Sequence, residues 1–308
     1  MNDFDLSIDA SSVVKQIASF IETQVKERGD DGVLVWFSGY IDSTIIVKIC
    51  LEALGIDVVK LIIKPQKLSD NHEEVLATSI EFLGIGEENI TKCDVEPMIK
   101  KFGSEKLVPG SIREISLLNR PLSYSLLKGA AEYEIEEKDF GITSKTSSGR
   151  DDLIHRAISL AKTRSRIQMA VAYYIAETEN RSLVGTINKT ELLTGLFTKW
   201  GQGHCTDIMP LGNLFRTQIL QLAEYLKIPD TISSKRRTDM LPGVDNKYIF
   251  FFNLNAYDVD RILQLAVNGN SKEEIYRKTT ISRKAIDKVI DFYLHACYTR
   301  GGPLIPKI

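Results

Sequence analysis

The sequence predicts an α/β fold: a doubly wound parallel sheet with helices on both faces, followed by a C-terminal helical extension. Three features carry that expectation. Short apolar runs alternate with amphipathic stretches through the first hundred residues. The run Val33-Leu34-Val35-Trp36-Phe37 passes through a Ser-Gly turn straight into a helical pattern. Gly55, Pro65 and Gly84 then punctuate the segments where strands and helices must exchange.

Taken in order, residues 11–28 place Val14, Ile17, Ile21 and Val25 at helical spacing. Ser43 to Leu54 reads as a helix stopped by Gly55, and Val58 to Ile63 as a second strand ending before Pro65. Residues 71–84 read as helix, Ile90 to Val95 as a short strand, and Pro97 opens a further helix. Residues 103–155 lack periodicity and mix Pro, Gly, Ser and charge, which marks a flexible or lid insertion. The run Gly141-Ile142-Thr143-Ser144-Lys145-Thr146-Ser147-Ser148-Gly149 lacks the GxxxxGK[ST] order of a phosphate loop. Helix resumes at 152–179, Leu183 to Thr186 reads as a strand entering a turn, and Lys189 to Phe197 and 213–226 read as helices. The tail, 257–299, holds two or three amphipathic helices. Its Lys272-to-Lys288 portion reads as a packing pair rather than a DNA-reading unit. One domain over 1–308 is expected.

Composition narrows the class. The chain has 308 residues, 43% of them hydrophobic and 26% charged, as in soluble globular proteins. A net charge of −2 argues against a dedicated nucleic-acid surface. No apolar run approaches the ~18 residues of a membrane span. Cys50, Cys93, Cys205 and Cys297 are scattered without a CxxC pair and read as reduced thiols. The start, Met1-Asn2-Asp3-Phe4-Asp5, has no basic region leading into an apolar one, so a cytoplasmic location is expected.

The chemistry concentrates at Ser38-Gly39-Tyr40-Ile41-Asp42-Ser43-Thr44. A strand, a tight turn and a helix N-terminus suit an anion, because the first helical N–H groups lack internal partners and the helix dipole favours negative charge. Ser38, Ser43 and Thr44 add hydroxyl donors, and Asp42 can hold a divalent cation that bridges phosphate oxygens. An ordinary βα turn with an N-cap serine is the plainer reading of the same residues. A second constellation follows the last predicted strand: Gly185-Thr186-Ile187-Asn188-Lys189-Thr190-Glu191, then Phe197-Thr198-Lys199-Trp200-Gly201-Gln202-Gly203, then Asp207-Ile208-Met209-Pro210-Leu211.

These blocks, in this order, resemble the NAD synthetase family of the N-type ATP pyrophosphatases. The first is similar to that group's Ser-Gly-Gly-x-Asp-Ser loop. The second is similar to the family's Gly-Thr-x-Asn-Lys-x-Glu, Phe-Thr-Lys-Tyr-Gly-Asp-Gly and Asp-x-x-Pro-Leu signatures. Lys162-Thr163-Arg164-Ser165-Arg166 and the ending Arg300-Gly301-Gly302-Pro303-Leu304-Ile305-Pro306-Lys307 resemble further family segments. The resemblance implies an adenine nucleotide alpha-hydrolase-like fold, ATP and Mg²⁺ as cofactors, and a homodimer. It also implies a reaction: a carboxylate attacks the ATP α-phosphorus, pyrophosphate leaves, and ammonia, free or from a separate glutaminase, captures the acyl-adenylate as an amide. Nicotinic acid adenine dinucleotide is the default acid and NAD the product.

Residue by residue, the resemblance implies Asp42 and Arg216 as catalytic groups, and Asp42 and Glu191 as magnesium ligands. Ser38, Gly39, Tyr40, Ser43, Arg164, Thr186 and Thr238 would bind the nucleotide, with Lys199 and Asp207 on the substrate. Departures sit mainly on the substrate side: Gln202 replaces an aspartate, Arg216 a lysine, and His204-Cys205-Thr206 lengthens the passage to Asp207 by one residue. Tyr40 stands at the second glycine, where a positive φ would strain it. Tyr40→Gly is therefore expected to leave activity intact or improve it. Two alternatives stand beside the default: amidation of a different acid, and a nucleotide-binding protein without turnover.

Overall fold

The computed structural model describes residues 5–64, 70–102, 149–233 and 246–302. Four strands, β1 (Val33–Trp36), β2 (Val59–Ile63), β3 (Ile90–Lys92) and β4 (Ser182–Val184), form one parallel sheet in the order β3-β2-β1-β4. Val33 lies opposite Val59 on one side and Ser182 on the other. The chain thus steps outward from β1 to β3 and then returns to the other side of β1. That reversal opens a crevice between the carboxyl ends of β1 and β4, where doubly wound sheets bind ligands.

The helices are α1 (Ala10–Arg28), α2 (Ile41–Leu54), α3 (Asp70–Leu83), α4 (Glu96–Phe102), α5 (Gly149–Thr178), α6 (Lys189–Thr194), α7 (Arg216–Tyr225), α8 (Asp230–Ser233), α9 (Lys247–Phe252), α10 (Ala256–Val267), α11 (Lys272–Lys278) and α12 (Arg283–Arg300). Asp9 starts α1 by accepting from the Ser12 N–H, and Gly29 ends it at φ +71°. Strand β1 explains why its sequence is apolar throughout. Val33, Val35 and Phe37 belong to a core with Ile21, Ile45 and Ile219, while Leu34 and Trp36 belong to another with Met169 and Ala172 of α5. A strand buried on both faces shows no polar alternation.

Several expected boundaries move, each for a local reason. The strand from Ile90 stops at Lys92 because the Asp94 carboxylate accepts from the Glu96 N–H and starts α4. Helix α6 ends at Thr194, short of Phe197, because Gly195 takes φ +72° and returns its N–H to the Glu191 carbonyl. Helices α8 and α9 are not foreseen in the sequence. Of the insertion expected at 103–155, residues 103–148 lie outside the described residues and 149–155 open α5. A third core joins α9 to α12 through Phe252, Ile262, Leu263, Ile286 and Val289, with Ile275 of α11 inside it. The α11–α12 pair is a packing element.

Candidate active site

The turn after β1 is held from beneath by one face of α3. His72 Nε2 lies 2.9 Å from the Ser38 carbonyl, and the Ser79 hydroxyl donates to the Gly39 carbonyl at 2.6 Å. Leu76, between them on the same helical face, touches Gly39 itself: a Cβ there would fall 2.8 Å from the Leu76 Cα. Gly39 also has φ +79°, so no other residue fits this position without strain. With these carbonyls engaged below, the turn presents the start of α2 to the crevice. The Ser38 and Ser43 hydroxyls lie 3.0 Å apart and both are buried.

Tyr40 corrects the expectation of strain. It is the N-cap of α2 at φ −82°, ψ 167°, ordinary extended backbone, and only Gly39 adopts the left-handed conformation. The Tyr40 ring tilts against His72 with centroids 5.0 Å apart. Tyr40→Gly therefore relieves nothing. It removes a ring contact and adds unfolded-state freedom, so we expect a loss of about 0.5–1 kcal/mol, read as a lower thermal midpoint.

Across the crevice, the Asp42 carboxylate forms an ion pair with Arg216 Nη1 at 2.7 Å and accepts from Asn188 Nδ2 at 3.2 Å. Asn188 and Glu191 make a reciprocal capping box at the start of α6: Asn188 Oδ1 accepts from the Glu191 N–H, and Glu191 Oε2 accepts from the Asn188 N–H. The other Glu191 oxygen pairs with Lys247 at the start of α9. Two carboxylates and two cations thus meet around Asn188. Burial pushes the Asp42 carboxyl up, but Arg216, then Lys247 and the Asn188 bond, outweigh it and hold it below the usual carboxylate range. Arg216, disfavoured by burial, is held charged chiefly by Asp42.

A buried carboxylate fixes the elements that bear this cluster. Asp260 of α10 is fully buried and accepts from the Thr190 hydroxyl at 2.5 Å, and from the Thr217 N–H and hydroxyl at 2.7 Å each. Thr190 Oγ1 in turn accepts from the Arg216 N–H at 2.8 Å. Asp260 therefore ties α6, which carries Glu191, to α7, which begins with Arg216. Burial raises its pKa against these bonds.

The remaining expected residues have contacts of their own. Thr186 is half-buried between β4 and Asn188, close behind Gly185, where a Cβ would fall 2.5 Å from Thr206 Oγ1. Arg164 Nη2 reaches both Glu96 oxygens at 3.0 Å, and Lys64 approaches Glu96 at 3.7 Å. Lys199 Nζ donates to the Tyr298 carbonyl at 2.8 Å. Its loop docks on α5 through the Gln202 N–H, 3.0 Å from the Ser165 carbonyl. Asp207 accepts from the Leu183 N–H at 2.8 Å and pairs with Arg28 at 3.2 Å, beside the Asp30–Ser182 contact where β4 begins. His204 stacks on Phe197 at 4.6 Å and lies edge-on to Trp200; burial, then Lys199, keep it below the usual histidine pKa. Thr238 lies outside the described residues.

Asn188, Lys247, Asp260 and His72 were not singled out from sequence. The Asn188-x-x-Glu191 spacing is a legible capping-box signal. The other three come from distant segments and leave no local trace. Among the described residues no three His, Cys, Asp or Glu side chains gather as a metal site. Asp42 and Glu191 nevertheless fit magnesium, which takes one or two protein carboxylates and completes its shell with phosphate oxygens and water. The donors are hard oxygens, and each carboxylate retains some exposure.

The family model described as NAD synthase matches residues 13–121 and 122–303. The NH(3)-dependent NAD(+) synthetase of Archaeoglobus fulgidus is 30% identical over 263 residues, covering 85% of this chain and 86% of the relative. That of Thermotoga neapolitana is 27% identical over 290 residues, covering 92% of each. Among solved structures, NMN synthetase from Francisella tularensis superposes with a TM-score of 0.67 at 17% identity, over 98% of this chain and 100% of that one. An NH3-dependent NAD synthetase from Campylobacter jejuni, in complex with the nitrate ion, gives 0.66 at 19% identity, over 97% and 100%. With a family match over nearly its full length, this chain belongs to the NAD synthase family.

Proposed function

We propose that this protein is an ATP-dependent, amide-forming ligase that converts nicotinic acid adenine dinucleotide to NAD with ammonia. The observation that supports it most is the convergence, at the β1–β4 crevice, of the α2 N-terminus, the Asp42–Arg216 pair and the Asn188–Glu191 box. The substrate carboxylate oxygen bonds to the α-phosphorus as the α–β bridge breaks, releasing pyrophosphate. Ammonia then bonds to the acyl carbon, a proton departs, and AMP leaves with the carboxylate oxygen.

Phosphoryl displacement asks a protein mainly for alignment and charge neutralisation. The start of α2 and the hydroxyls of Ser38 and Ser43 receive phosphate oxygens, and Arg216 offsets the charge that grows on departing pyrophosphate. Thr186 and Arg164 face the adenylate, Thr238 adds a nucleotide contact, and Lys199 and Asp207 serve the acid. Asp42 and Glu191 would hold Mg²⁺. When bound, the metal would neutralise phosphate charge.

We further infer one catalytic domain over 1–308, a cytoplasmic homodimer, ammonia taken free or from a separate glutaminase, and no nucleic-acid or membrane partner. Among the described residues no helix is long and apolar enough to cross a membrane. Light scattering at micromolar protein should give twice the chain mass; a monomer mass would refute the dimer.

The test is direct. Purified protein with ATP, Mg²⁺, ammonium and the acid dinucleotide should yield AMP, pyrophosphate and NAD in equal amounts. Absence of AMP and NAD across pH and ammonium concentration would reject the reading. Because a fold neighbour bears the name NMN synthetase, the assay includes the acid mononucleotide. AMP release with that compound alone would shift the substrate and leave the chemistry standing.

A further inference from the structure

Tyr248, second residue of α9, has a buried side chain whose hydroxyl is itself buried and has no hydrogen-bond partner among the described residues. Phenol hydroxyls in protein interiors are nearly always bonded, because stripping one of water without a replacement is costly. A phenylalanine would fill the same space at no such cost. The surroundings explain why the hydroxyl matters. Its electrostatic neighbours are Glu191, Arg216, Asp260 and Asp42, the groups of the site. Burial, then Glu191, push its ionisation well above that of an ordinary phenol, so it is a neutral O–H donor at working pH.

The adjacent residue completes the picture. Lys247 pairs with Glu191, as Arg216 pairs with Asp42. Both carboxylates are therefore satisfied by cations, while the Tyr248 donor has no acceptor among the described residues. An anionic ligand reverses this arrangement. A polyphosphate carries more charge than one carboxylate and offers many acceptor oxygens, so it competes for an ammonium already in place. The exchange also avoids leaving any buried charge unpaired, provided that a cation accompanies the anion.

We propose that Lys247 and Tyr248 are ligand-contacting residues for the polyphosphate of ATP: Lys247 moves from Glu191 to a phosphate oxygen, and the Tyr248 hydroxyl donates to the same anion. The proposal rests on the ATP-dependent reading above and adds two contacts to it. Glu191, released by Lys247, then becomes available to the cation that enters with the nucleotide.

Calorimetric titration with Mg–ATP and with inorganic pyrophosphate, together with thermal midpoints of the ligand-free proteins, tests it on wild type, Tyr248→Phe and Lys247→Met. Tyr248→Phe should melt at or above the wild-type midpoint, since no bond is lost, yet bind both ligands at least fivefold more weakly. Lys247→Met should bind pyrophosphate at least tenfold more weakly, with a shallower salt dependence. A folded Tyr248→Phe with wild-type affinity for both ligands overturns the proposal. A lowered midpoint in that variant overturns its premise, because the hydroxyl would then have had a partner. Weakening toward the acid substrate but not pyrophosphate also overturns it, placing the hydroxyl on the acid. Wild-type protein that binds no ATP rejects the underlying functional reading, and the added contacts with it.

Discussion

Asp42→Ala is expected to lower kcat by about 10²–10³-fold, the range seen when a single charge-stabilising group is removed from an active site. The same change leaves Arg216, largely buried, without the carboxylate that faces it at 2.7 Å. Breaking a buried pair on one side costs about 3–5 kcal/mol. Residual attraction from Glu191 places this case at the lower end. Removing both partners, as in Asp42→Ala with Arg216→Met, should restore much of the stability and none of the turnover. Chemical denaturation and steady-state kinetics on wild type and these two variants check this, and a double variant no more stable than Asp42→Ala would contradict it. The pair also sets a pH signature. Because the folded pKa of Asp42 lies below the unfolded value of about 3.9, its stabilisation is complete above pH ~5. It is lost as pH falls through the folded value. Asp42→Asn should flatten the acid limb of the urea midpoint against pH.

The second large effect is expected at the buried anchor Asp260. Asp260→Ala leaves the Thr190 hydroxyl and the Thr217 N–H and hydroxyl without their shared acceptor in a fully buried site. Three stranded donors correspond to a loss of roughly 3–5 kcal/mol, and a thermal midpoint lower by about 10 °C. Activity should fall with it, since Thr190 no longer holds the Arg216 backbone where Asp260 set it. Asp260→Asn keeps one oxygen acceptor and should recover part of both. The pH effect has the opposite sign to that of Asp42. Burial raises the folded pKa of Asp260, so its contribution is full at low pH. It diminishes as pH rises from the unfolded value through the folded one. A midpoint for Asp260→Ala within 2 °C of wild type, measured by calorimetry, would refute the anchoring role.

Local order was written into local sequence. The apolar run of β1 and the helical spacing of α1 each depend on residues within a few positions of one another. So does the turn at Ser38-Gly39, where the following helix must begin. Burial of β1 on both faces makes its run apolar throughout, so the sequence also announced a covered parallel sheet. The family blocks Ser38–Ser43 and Gly185–Glu191 lie in single stretches, and membership in the NAD synthase family could be read from them.

The tertiary structure alone decided what joins those stretches. Tyr40 illustrates the limit: its residue type at a glycine position suggested strain, but the backbone places the positive φ one residue earlier, at Gly39, where a Cβ would also meet Leu76. Sequence likewise marked Asp42, Glu191 and Arg216 as separate candidates. It held no sign that Asn188 bridges the two carboxylates, that Lys247 closes on Glu191, or that Asp260 anchors the helices carrying Glu191 and Arg216. Those partners are 43 to 174 residues apart along the chain. Sequence determines the dihedral preferences and apolar faces of each segment, because those arise from neighbours a few residues away. Which charges meet depends on how the strands order themselves in the sheet, and the reversal between β1 and β4 brings these segments to one crevice.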